Sequence, residues 1–128
     1  MNGPQNFIDR MLEVENLTDT LEDDDADFLL NWGVAQLKGR LISINDSDAA
    51  GKYTNELIGF MRTVNQIAGD LENIQPDKLA QLAEFRQKAL GPGQALGAET
   101  YGEALDRLGT MTPRQALEYL LQINLKER

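Results

Sequence analysis

The fold is decided by residues 28–74, FLLNWGVAQLKGRLISINDSDAAGKYTNELIGFMRTVNQIAGDLENI. Apolar side chains recur here every three or four residues, which is the spacing of one helix face and not of a strand. One row consists of Leu30, Val34, Leu37, Leu41 and Ile44, and the other of Tyr53, Leu57, Phe60, Val64, Ile67, Leu71 and Ile74. The two rows predict helices over about residues 26–44 and 48–72, each roughly 30 to 38 Å long.

A polar connection separates the two rows. Residues 45–52, NDSDAAGK, are rich in turn and cap formers, and Asp46, Ser47 or Asp48 can cap the following helix. Because the connection is short, we expect an antiparallel hairpin whose two rows face each other and form the nucleus of the core. Glycines interrupt both helices and each costs about 1 kcal/mol relative to alanine, so they call for close packing or a kink. They are Gly33, Gly39, Gly59 and Gly69.

Shorter amphipathic segments flank the hairpin. We predict helices over residues 5–16, from Pro76 to Gly91, over 99–108 and over 113–124. The last helix begins with a capping box formed by Thr112 and Gln115, with proline at its first position. The expected fold is all-α, a five- or six-helix bundle-like array in a single domain over 1–128. In it, a Gly/Pro connection over 91–98 leads to a docked C-terminal helix pair, 99–124.

Composition limits the available chemistry. The 128 residues include no cysteine and no histidine. Without them the chain lacks disulfides, thiolate nucleophiles and the usual general base near neutral pH, together with the commonest transition-metal ligand. Only carboxylates could perform acid–base or metal chemistry. We therefore expect a protein that is not an enzyme and that has no cofactor.

Negative charge is concentrated near the N-terminus. The formal net charge is −9, and residues 1–31 hold nine of the 21 acidic residues against Arg10 as their one base. Such a region repels phosphate, which argues against nucleic acid and against an anionic membrane surface. It predicts a basic or mixed-charge protein partner, or a second copy of this chain in a homodimer.

The candidate partner-binding residues lie where the first long helix begins. They are Asp23, Asp24, Asp25, Asp27, Phe28 and Trp32. Carboxylates at a helix start interact favourably with the exposed N–H groups and the positive end of the helix dipole, so we expect these aspartates to be solvated. Phe28 and Trp32 are expected to be core residues. If instead Trp32 is partly exposed with Phe28 and Tyr53, the three form an apolar spot rimmed by aspartates, a composition typical of a partner-binding patch.

Two alternative functions stay open. The first is a carboxylate-based site for a divalent metal or small ligand, suggested by residues 23–27 and by Asp46, Asp48 and Gly51, which match three positions of an EF-hand loop. That match fails at Ala50 and at Leu57, where the bidentate glutamate belongs. The second alternative is a helix-turn-helix DNA binder over residues 99–124, with Arg114 and Gln115 at the start of its recognition helix. The near-neutral charge of this segment argues against it.

Hydropathy and the opening residues bear on location. No stretch reaches the ~18 apolar residues that a membrane span requires. The chain opens MNGPQNFIDR, without a charged region followed by an apolar run. We expect a soluble, cytoplasmic protein. The string Leu117–Leu121 has the form LxxLL of groove-binding helices, but its leucines are needed to dock the C-terminal segment and we assign them to the core.

Overall fold

The computed structural model describes residues 21–91 and 98–126. Its five helices confirm the all-α class, and the predicted helix 5–16 and most of the Gly/Pro connection lie outside the described residues. In chain order the elements are α1 (Asp23–Leu41), α2 (Ser47–Gly69), α3 (Pro76–Leu90), β1 (Ala98–Thr100), α4 (Tyr101–Leu108), α5 (Pro113–Gln122) and β2 (Asn124–Lys126).

Helix α2 is the centre of the core. It packs most extensively on α3, and it also contacts α5 and α1. Its side chains at Leu57, Phe60, Met61 and Val64 are completely buried. The α1–α2 hairpin forms as predicted, but the largest helix contact of the core is between α2 and α3. A second apolar row on α2 gives it more than one contact face, so three helices of the same chain surround it.

Helix α1 begins and ends about three residues earlier than predicted. Its most buried row is Ala26, Leu29, Gly33 and Leu37, whereas the predicted row from Leu30 to Ile44 is half-buried except at Leu37. The contact face is thus rotated from the predicted one, because α1 packs against both α2 and α5. Apolar residues on either side of that face flank the contact.

The connections around α2 follow local capping rules. Asp46 caps the helix by accepting a hydrogen bond of 3.0 Å from the backbone N–H of Asp48. The helix ends at Gly69, before the predicted 72, because Asp70 leaves helical geometry with φ −130° and ψ 61°. Leu71 and Ile74 still contact the core from the connection that follows.

Helix α3 has the predicted ends and explains one of the glycines. Pro76 occupies its first turn, and Gly91 follows with φ +75°, a conformation that favours glycine. A Cβ added at Gly59 of α2 would lie 2.7 Å from Cε1 of Phe85. Gly59 therefore permits the close approach of α2 and α3, whereas Gly39 of α1 has open space beside it.

The C-terminal segment contains two short strands that the sequence reading missed. β1 and β2 pair in parallel, with Ala98 beside Asn124, and α4 and α5 form the crossover between them. Three residues are too few to show strand alternation, which explains the omission. Both helices begin with a complete capping box, as predicted for Thr112 and Gln115 and also at Thr100 and Glu103.

The C-terminal helices also contribute to the core. Leu117 and Leu120 of α5 are completely buried in the same hydrophobic cluster as the α2 side chains, in agreement with their assignment to the core. Over residues 21–91 and 98–126, no helix is both long and apolar enough to span a membrane.

Candidate partner-binding surface

The predicted site residues lie on the first half of α1, and four acidic side chains there are exposed. We call Glu22, Asp23, Asp24 and Asp27 the acidic end of α1. In the described part of the chain, none of the four forms a salt bridge. Three acids occupy the first helical turn, and Glu22, the N-cap residue, makes no side-chain capping bond. Carboxylates at this position stabilise the helix through its dipole, so the cluster also has a structural role.

Asp25 differs from its neighbours and corrects the expectation of solvated aspartates. Its relative exposure is 9%. Asp25 precedes the buried Leu29 by four residues, so both lie on the side of α1 that packs into the protein. Its carboxylate oxygen Oδ1 lies 3.3 Å from Nη1 of Arg114 on α5. Asp25 therefore joins two helices and is not available as a surface contact.

Arg114 is the residue that sequence reasoning did not connect to this site. Its Nη1 donates to the Asp24 backbone oxygen at 3.4 Å, and its Nε lies 3.6 Å from the Glu118 carboxylate. Its guanidinium carbon lies 4.1 Å from the centroid of the Phe28 ring. The four-residue spacing to Glu118 was visible in the sequence, but the contacts with Asp24, Asp25 and Phe28 span about 90 residues. The N-terminal turn of α1 thus already holds one guanidinium group.

The two aromatic residues extend the acidic end along one side of α1. Asp24, Phe28 and Trp32 follow at intervals of four residues, which places them on one side of the helix. Phe28 and Trp32 are both half-buried. The Trp32 ring packs against the Phe60 ring of α2, with centroids 5.8 Å apart and planes tilted by 46°. Each ring is fixed by the core and keeps part of its surface in solvent.

Tyr53 does not belong to this surface. It is buried at the start of α2, where the Arg40 guanidinium lies 5.7 Å from its ring centroid. Arg40 is near the end of α1 and Phe28 near its beginning, about 18 Å apart along the helix. The apolar spot expected from Phe28, Trp32 and Tyr53 is therefore reduced to the first two.

Several residues named for the alternative sites have structural roles in the described part of the chain. Within residues 21–91 and 98–126, no three acidic side chains are grouped to hold a metal ion. Asp46 of the EF-hand-like loop serves as a helix cap. Arg114 and Gln115, which a helix-turn-helix would direct to DNA bases, have intramolecular partners in Asp25 and Thr112.

A second polar cluster, which sequence reasoning also missed, lies at the C-terminal strand pair. The Tyr119 hydroxyl donates to the Glu99 carboxylate, and Nε of Arg107 lies 3.0 Å from the same carboxylate. Burial and the hydrogen bond to Glu99 raise the pKa of Tyr119 far above its ordinary value. All three residues have structural partners, and the cluster fixes β1 to α4 and α5.

Comparison with known proteins adds no functional assignment. The chain matches no protein-family model. No curated protein and no solved structure matches it either.

Proposed function

We propose that this chain is a non-catalytic helical interaction module that binds a basic or mixed-charge segment of a protein partner in the cytoplasm. The partner contacts the acidic end of α1 together with the exposed parts of Phe28 and Trp32. One observation carries the proposal. Four exposed carboxylates without salt bridges in the described part of the chain stand beside two rings that the core holds in place.

Charge and geometry support a cationic partner. The Asp24 backbone oxygen and the Asp25 carboxylate already accept from Arg114, and Phe28 lies under the same guanidinium. A partner lysine or arginine would meet the remaining carboxylates at the rim, where opposite charge raises the association rate more than the affinity. The half-buried aromatic rings would supply the apolar contact area that interface centres require.

The experiment uses the tryptophan of the site as its probe. Trp32 is the only tryptophan in the chain, so its fluorescence reports on this surface alone. A lysine- and arginine-rich peptide is titrated into the protein, with a glutamate-rich peptide of equal length as the negative comparison. The proposal expects saturable binding of the basic peptide that weakens steeply as salt is raised.

A matched pair of triple variants separates local from overall charge. Asp23→Asn, Asp24→Asn and Asp27→Asn together should weaken binding about tenfold or more. The control removes the same three charges elsewhere, through Glu72→Gln, Asp77→Asn and Asp106→Asn, all at exposed positions. Equal loss in both variants would reduce the effect to net charge and overturn the proposed surface. Sedimentation at low and high salt tests a second copy of the chain as the partner.

A further inference from the structure

A cleft away from α1 contains a half-buried cation, Arg86. It has a volume of about 400 Å³ and lies between α3, the first turn of α4 and β2. Apolar and neutral polar side chains form most of its lining, which includes Ala80, Ala83, Tyr101, Asn124 and Leu125. The charged groups in the lining are Arg86 and Glu84, and the Glu84 carboxylate pairs with Lys88 at 3.1 Å.

Arg86 is incompletely satisfied in this position. Its Nη1 donates to the Leu121 backbone oxygen at 2.6 Å, and its guanidinium carbon lies 5.7 Å from the Phe60 ring centroid. Its Nε is buried and has no hydrogen-bond partner. Over residues 21–91 and 98–126, no carboxylate forms a salt bridge with Arg86. The guanidinium is thus oriented by a carbonyl and a ring and is not neutralised.

A half-buried guanidinium without a carboxylate partner is partly desolvated without compensation, which is energetically unfavourable. Burial lowers the pKa of Arg86 from its ordinary value, although arginine stays charged at neutral pH. Buried charges in proteins are normally paired, because desolvation costs several kcal/mol that only an opposite charge or good hydrogen bonds offset. An oxyanion suits this guanidinium, since carboxylates and phosphates match the fork of N–H donors.

We propose that the cleft binds a small organic anion whose carboxylate or phosphate group pairs with Arg86. The apolar part of the ligand contacts Ala80, Ala83, Leu125 and the Tyr101 ring, and Asn124 supplies a neutral hydrogen-bonding group. A volume of about 400 Å³ suits a ligand of this size, because small-molecule pockets span about 300 to 1,000 Å³. The site is independent of the acidic end of α1, so either proposal can fail without the other.

The test is an NMR titration of the full chain with benzoate and with phenyl phosphate, at constant ionic strength maintained with chloride. The expected result is saturable shifts of the Arg86 side-chain Nε–H and of the backbone amides of Tyr101, Asn124 and Leu125. A response to one probe alone identifies the preferred oxyanion. Absence of saturable shifts at Arg86 with both probes would overturn the proposal.

Two variants and a control test whether the probes bind in the cleft beside Arg86. Arg86→Gln should weaken binding about tenfold or more, the loss of one charge-assisted hydrogen bond. Because Arg86 also contacts Phe60 and Leu121, a second variant avoids it: Ala80→Leu at an exposed position of α3 fills the cleft and should weaken binding similarly. Arg62→Gln removes an exposed arginine of α2 and should leave binding unchanged. Equal weakening in Arg62→Gln, or unchanged affinity in Ala80→Leu, would contradict the site.

Discussion

Arg114 of α5 covers the ring of Phe28 of α1, with its guanidinium carbon 4.1 Å from the ring centroid. The same side chain pairs with the buried carboxylate of Asp25, so one residue connects the N-terminal turn of α1 to the C-terminal part of the chain. The side chain of Arg114 is 44% exposed, which reduces the strength of its charge interactions. Its contribution to stability is therefore moderate and open to measurement.

Replacing Arg114 should show how much its contacts with Asp25 and Phe28 stabilise the fold. Arg114→Met removes the ion pair and the cation–π contact and leaves Asp25 buried without its partner. We expect the free energy of unfolding to fall by about 1 to 2 kcal/mol. Urea unfolding of this variant, of Asp25→Asn and of the double variant gives the coupling energy, expected at about 0.5 to 1 kcal/mol. Arg62→Met is the control, and a coupling energy of zero would show that the two residues act separately.

Two glycines in long helices should respond in opposite directions to alanine. At Gly39 nothing lies within 4 Å of an added Cβ, so Gly39→Ala should stabilise the protein by up to about 1 kcal/mol. At Gly59 the added Cβ would lie 2.7 Å from the Phe85 ring, and Gly59→Ala should destabilise it by about 1 to 3 kcal/mol. Thermal unfolding measures both.

A second substitution tests whether the Phe85 ring causes the loss of stability in Gly59→Ala. If the Phe85 ring is the obstacle, Gly59→Ala should cost less in a Phe85→Leu background than in the parent chain, because the smaller side chain leaves room for the methyl group. An equal cost in both backgrounds would mean that the close approach of α2 and α3 is set elsewhere.

The sequence predicted helices well where a single periodic pattern dominates. The row from Tyr53 to Ile67 on α2 is buried as expected, and the stop at Gly91 and the cap at Thr112 depend on local chemistry that sequence carries. On α1 the predicted buried face was wrong, because Leu29 and Leu30 fit two neighbouring apolar rows equally well. Only the positions of α2 and α5 decide between them.

The site was harder to predict than the fold, because its key contacts join distant parts of the chain. A run of aspartates shows that acids are present, but not that Asp25 turns inward while Asp23, Asp24 and Asp27 stay exposed. No sequence motif marks Arg86 as a site residue. Its unpaired state depends on which carboxylates the fold places near it, and α3 is joined there to the last residues of α5 through the Leu121 carbonyl.

The capping box at the start of α5 should contribute measurably to stability. The Thr112 hydroxyl accepts from the Gln115 backbone N–H, and the Gln115 side chain accepts from the Thr112 N–H. Thr112→Ala should lower the free energy of unfolding by about 1 kcal/mol, because it leaves a helix N–H without a protein partner. Gln115→Ala removes only the reciprocal hydrogen bond and should lower the free energy of unfolding by less. A larger loss for Gln115→Ala would contradict this order.

Tyr119 should make the protein less stable in alkaline solution. Its pKa is raised in the folded protein, through burial and through its hydrogen bond to Glu99, so the folded state keeps a proton that the unfolded chain loses. This contribution is fully present below the unfolded pKa of about 10 and is lost progressively as pH rises above it. Burial also raises the pKa of Tyr53, although Arg40 opposes that shift, so Tyr53 adds to the same decline.

Tyr119→Phe separates the two tyrosines. At neutral pH the variant should be about 1 kcal/mol less stable, because it loses the hydrogen bond to Glu99. Above about pH 10 its stability should decline less steeply than that of the parent chain, so the difference between them narrows as pH rises. Urea unfolding at a series of pH values measures both effects, with Tyr53→Phe as the comparison. A parallel decline in Tyr119→Phe and the parent chain would mean that Tyr119 does not control alkaline unfolding.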